Sequence, residues 1–142
     1  MNPPSFGDTQ LRPLTSDSDI HERVEQLVGR ASARQLWLMF LDDHAVQLPL
    51  LIPIDTLPGL PEDGQLAEIL DHVRDVVDEI GATSIIVVLE RYAADTLTMH
   101  DIAWARSVRT GCAACGVTLR AQLLSHRGGV RWITVDDIGG GD

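Results

Sequence analysis

Lysine is missing from this chain of 142 residues, and Asn2 is its only asparagine. All 11 basic residues are therefore arginine, a bias expected of a GC-rich genome such as that of an actinobacterium. They stand against 21 aspartates and glutamates, which leaves a net charge of −10 at pH 7. That balance repels phosphate backbones, and no cluster of arginines reverses it locally, so nucleic-acid binding is disfavoured. No apolar run approaches the roughly 18 residues that a membrane span needs. The amino terminus, MNPPSFGDTQLRPLTSDSD, has neither a basic start nor an apolar stretch and does not read as a secretory signal. These absences point to a soluble, cytoplasmic protein with no membrane association. Its 2 cysteines are then expected to stay reduced.

What is present fits one globular domain. A chain of this length can bury about two-thirds of the surface that its unfolded form exposes. Residues 1–16, with three prolines and no periodicity, are expected to form a mobile tail, 17–138 a single α/β domain, and 139–142 a Gly-rich tail. A helix starts at Ser16 or Ser18, with Ile20, Val24, Leu27 and Val28 on one side. RQLWLMFLDDHAVQLPLLIPID predicts two strands around the turn DDHA; the second, holding Pro49 and Pro53, should be bulged or lie at an edge. Pro58, Gly59, Pro61 and Gly64 mark a loop. The spacing of Leu66, Ile69, Leu70, Val73, Val76, Val77 and Ile80 predicts a helix over 65–80, stopped by Gly81. Thr83–Leu89 is then a buried central strand, Thr98–Cys115 a helix ended by Gly116, and the segment around Gly128–Gly129 a hairpin. The order α-β-β-α-β-α-β-β implies a mixed sheet of about five strands with helices on both faces.

Chemistry in an α/β protein is expected where a strand hands over to a helix. Here that place is Glu90–Asp101, ERYAADTLTMHD. Glu90, His100, Asp101 and His126 are candidates to converge there, and carboxylate with imidazole is a plausible ligand mix for a transition metal. The structural alternative is that they are solvated loop-end residues. Thr98-Met-His-Asp101 has the form of a capping box, which accounts for Asp101 without function. His21, His44 and His72 are scattered, with His72 near the polar face of its helix and His44 in the first hairpin turn. Cys112 and Cys115 form a C-x-x-C that closes a helix; a redox pair would open one, so both fit better as small core residues. A structural zinc site would need two further ligands, and the sequence has no second C-x-x-C or H-x-x-x-H.

The strand WLMFLDD with its hairpin return, the helix ending at EIGA, the strand IIVVLE, the T-x-x-D entry into a helix and the ending CGVTL…SHRGGVRWITV form an ordered set. Over roughly residues 18–137 this set resembles the RadC-type branch of the JAB/MPN metalloprotease-like domains. In that family the strand is followed by H-x-H-P-S-G, an aspartate in S-x-x-D completes a zinc site, and a glutamate on the second strand of the first hairpin is the general acid/base. The resemblance puts Glu90 and Tyr92 at the histidine positions, Ala93 and Ala94 at the proline and serine, and Gln47 nearest the acid/base glutamate. Only Asp101, after Thr98, keeps the family's residue type.

The resemblance therefore implies a degenerate, non-catalytic member with JAB/cytidine-deaminase-like layering and no cofactor. Its expected role is a protein-interaction or scaffold module with a protein partner or self-association, and the apolar first hairpin is a candidate contact surface. The alternative is a small-molecule or metal-binding domain or hydrolase with altered ligands. In that case Arg91 and Tyr92 would contact an anionic substrate, His100 would act as acid or base, and zinc would be the cofactor. A DNA-related role, which RadC-type proteins suggest, is disfavoured by the charge.

Overall fold

Helix, strand pair, helix, strand, helix, strand pair is the order observed in the computed structural model, which describes residues 13–54, 63–134 and 136–138. Among these, α1 spans Asp17–Leu27, β1 Gln35–Leu41, β2 Gln47–Ile54, α2 Asp63–Ile80, β3 Ser84–Glu90, α3 Met99–Cys115, β4 Leu119–His126 and β5 Gly129–Trp132. The strands form one mixed sheet in the order β2-β1-β3-β4-β5, with β3 and β4 parallel and the other neighbours antiparallel. The expected α/β class, strand number and two-faced layering are all present.

Alternation along the strands divides the core in two. Leu36, Leu38, Phe40, Ile85, Val87, Leu89 and Leu124 face α2 and α3. Met39, Leu41, Ile86, Val88, Ala121 and Leu123 face α1, where Ile20 and Val24 cover them. β1 and β3 are buried on both faces, which explains why their sequences run apolar without alternation. β2 is at the edge and its register with β1 slips between Met39 and Leu41, so both expectations raised by its prolines are met.

Helix ends follow from local chemistry. Ser16 caps α1 in a full capping box with Asp19. Gly116 takes the left-handed conformation (φ 76°) that ends α3, a conformation costly for any residue with a Cβ. Two boundaries differ from expectation. Gly64 belongs to the first turn of α2, while Pro58, Gly59 and Pro61 lie outside the described residues. Of the predicted tail, residues 1–12 lie outside the described residues, but Leu14 is buried against the α1 face and its N–H donates to the Ala45 carbonyl at 2.8 Å. The packed domain therefore takes in at least Leu14. Residues 139–142 also lie outside the described residues, and Ile138, just before them, is buried. Among the described residues, no helix is long and apolar enough to cross a membrane.

Candidate functional site

Glu90 and Ser125 stand side by side at the end of the parallel pair β3–β4, the position where an α/β sheet would open a ligand crevice. On the α1 face the connection from α1 to β1 is laced across this end. Ser125 Oγ donates to the Gly29 carbonyl at 2.6 Å, and Ala31 N–H donates to the His126 carbonyl at 2.9 Å. One Glu90 oxygen accepts the N–H groups of Ser32 and Ala33 at 2.7 and 3.1 Å. The other accepts from Gln35 Nε2 at 2.7 Å and Trp37 Nε1 at 2.8 Å. Burial alone would raise the Glu90 pKa; the bonds from Ser32, Trp37, Gln35 and Ala33 together outweigh it and hold the carboxyl below its ordinary value. With both oxygens engaged, Glu90 serves as a fastening.

Arg91, the next residue, turns to the opposite face. Its Nε and Nη2 form a fork on Asp101 Oδ2 at 3.0 and 2.8 Å, while Nη1 donates to the Ala94 carbonyl at 2.6 Å and Nη2 to that of Thr96 at 3.0 Å. Asp101 also completes the capping box of α3. Its Oδ2 accepts Thr98 N–H at 2.9 Å, and its own N–H donates to Thr98 Oγ1 at 3.2 Å. Burial pushes the Asp101 pKa up, but the Arg91 guanidinium and the Thr98 bonds pull it below the usual carboxylate value. The Ala93 carbonyl accepts Arg127 N–H at 2.9 Å and the Asp95 carbonyl accepts Arg131 Nη1 at 3.1 Å. Four successive carbonyls of the loop, at residues 93, 94, 95 and 96, are thus each tied to a donor.

The expected convergence of Glu90, His100, Asp101 and His126 does not form. Glu90 shares the sheet face of Ile86 and Val88, whereas Asp101 belongs to α3 on the other side of the sheet. His100 is exposed in the first turn of α3, and Tyr92 is 73% exposed. His126 does lie at the same end of the sheet as the loop, but its Nδ1 accepts Gly128 N–H at 3.1 Å and so closes the β4–β5 turn. Among the described residues no three His, Cys, Asp or Glu side chains are grouped to hold a metal ion. Cys112 lies in the core beside Val108, and burial pushes its thiol up to about 11; Cys115 is partly buried. The pair fits the structural reading.

Gln47, nearest to the acid/base position of the resemblance, pairs with Leu41, whose other neighbour is Ser84. It therefore stands at the opposite end of the sheet from Glu90. Gln47 is buried, its Oε1 accepts Arg23 Nη1 at 2.6 Å, and its Nε2 has no partner among the described residues. The residues that sequence reasoning missed are the partners: Arg91 as the counter-ion of Asp101, and Ser32, Gln35 and Trp37 around Glu90. Gln35 lies directly opposite Glu90 across β1 and β3, a relation that only the strand register reveals.

Compared with known proteins, the chain matches no family model and no curated protein.

Proposed function

We propose that this chain is a non-catalytic, RadC-like domain that binds another protein through the loop from Arg91 to Thr98 and the start of α3. The observation that carries this reading is the buried Arg91–Asp101 pair: the one residue that keeps the family's ligand type is committed to a guanidinium and a helix cap. A zinc hydrolase needs several free ligands and an open coordination position, and the lacing of the sheet end supplies neither. The element order and the placement of helices on both faces fit the resemblance.

Support for a binding role comes from what the fastened loop displays. Among the described residues the exposed large hydrophobics are Tyr92 and Met99, and both belong to this loop and its helix entry. Tyrosine is enriched among residues that dominate interface energies, and methionine adapts its shape to a partner. A backbone already held by arginines loses little freedom on binding. The partner is a different protein with a basic rim, because two copies that each carry −10 repel one another. The test places a photo-crosslinking residue at Tyr92 in the native host. A single discrete adduct is expected that is absent from the same replacement at His72, on the exposed side of α2, and is lost with Met99→Asp. Identical adducts from both positions, or an adduct between two copies of the chain, would reject the proposal.

A further inference from the structure

We propose that a second site, at the other end of the sheet, binds a small organic anion. β4 runs from Leu119, beside Ile85, to Ser125, beside Glu90, so the start of β4 is remote from the Arg91–Thr98 loop. β5 covers β4 only from Leu123 to His126, with one further bond from Ile133 N–H to the Gln122 carbonyl at 2.9 Å. Beyond that, Asp137 N–H donates to the Thr134 carbonyl at 3.1 Å. The Asp137 carboxylate accepts from Thr134 and Arg131, and the Ile138 carbonyl accepts from Arg106 of α3. Where β5 stops, a cleft of about 380 Å³ is left between α3, the first residues of β4 and Trp132–Thr134.

The volume lies towards the lower end of the range of small-molecule sites. By contrast, the pocket beside Trp104 is about 10 Å³, no more than one water would occupy. Two arginines, Arg109 and Arg120, line the cleft in a chain whose net charge is −10. The Arg109 side chain has no hydrogen-bond or ion-pair partner among the described residues. Among the described residues Arg120 is held by Asp17 alone, a surface pair with the carboxylate 74% exposed, so its remaining N–H groups stay available. Gln122, whose Nε2 donates to the Ala105 carbonyl at 2.9 Å, keeps its Oε1 to receive a hydroxyl or N–H group. Trp132 supplies a flat apolar wall. Two guanidinium groups and an indole lining one cleft suit a molecule with a carboxylate or phosphate attached to a ring or short apolar body.

The test is a titration of the full chain, followed by ¹H–¹⁵N NMR, with phenyl phosphate, benzoate and inorganic phosphate as separate probes. Saturable shifts are expected at the Trp132 indole N–H and the Arg109 Nε–H for at least one of the two organic anions, and the stronger binder tells phosphate from carboxylate. Arg109→Gln, at an exposed position that leaves the fold intact, should weaken that binding about tenfold or more. Equal affinity for inorganic phosphate would overturn the organic-anion assignment. Absence of shifts at Trp132, or equal binding by Arg109→Gln, would overturn the site itself. Tyr92 and Met99 play no part in this binding, so failure here leaves the interaction reading standing, and the reverse also holds.

Discussion

Asp101 does two jobs with one carboxylate, and the two can be separated by substitution. Asp101→Asn leaves the Arg91 guanidinium buried without its counter-charge, which should cost about 3–5 kcal/mol in urea unfolding. Thr98→Ala removes the cap alone and should cost about 1 kcal/mol. His100→Ala, on the exposed side of the same turn, should stay within about 0.5 kcal/mol. If His100→Ala proved as damaging as Asp101→Asn, the loop would be more than a fastened frame. Glu90→Gln tests the other face. An amide offers one acceptor oxygen where the carboxylate has two, so at least one of its donors is left unsatisfied at about 1–3 kcal/mol. Amide exchange at Ser32 and Ala33 should accelerate, whereas exchange in mid-β3 should follow global stability only. Thr98 and Asp101 were legible as a pair because capping acts over three residues. Arg91 was not, because its partner lies ten residues away across an irregular loop.

Elements were legible to the extent that their chemistry is local or periodic. α2 and α3 announced themselves by apolar spacing and by Gly81 and Gly116, and the prolines marked β2 as a strand that is bulged or at an edge. Leu14 was missed because a single apolar residue between Pro13 and Thr15 makes no pattern, and only its docking under the sheet gives it a role. The distance at which α2 and α3 pack was equally hidden. It depends on Gly111, where an added Cβ would collide with Leu70 Cδ1. Gly111→Ala should gain about 1 kcal/mol of helix propensity, yet it forces Leu70 to another rotamer in a buried position. The measurable consequence is coupling. Leu70→Ala, which opens a cavity in the wild-type background, should cost about 1 kcal/mol less in the Gly111→Ala background, as read from a double-mutant cycle of urea midpoints. Strict additivity would show that the helices can shift apart freely.

At the scale of the whole molecule two electrostatic effects oppose each other, and pH separates them. A net charge of −10 repels itself at neutral pH and fades towards the pI near 4.7, so modest acidification should first stabilise the fold. Against this, Asp19, Asp42, Glu90, Asp101 and Asp137 all have carboxyl pKa values lowered in the folded state. For each, the unfolded chain takes up a proton at a higher pH than the native one does, so stability rises with pH across that window and is lost as pH falls through the folded values. The contribution is fully present above the ordinary carboxylate range, begins to fade near about pH 4 and is gone only below the lowered folded values. Urea unfolding at stepped pH should therefore give greatest stability between about pH 5 and 7 and a steep fall below about pH 4. Added salt should stabilise the protein at pH 7, where self-repulsion is screened, and do less near the pI. The Asp101→Asn protein, which starts less stable, should show a shallower acid fall because one of the depressed carboxylates is gone. An acid slope as steep as that of the wild type would place the acid sensitivity in other groups and remove Asp101 from the account.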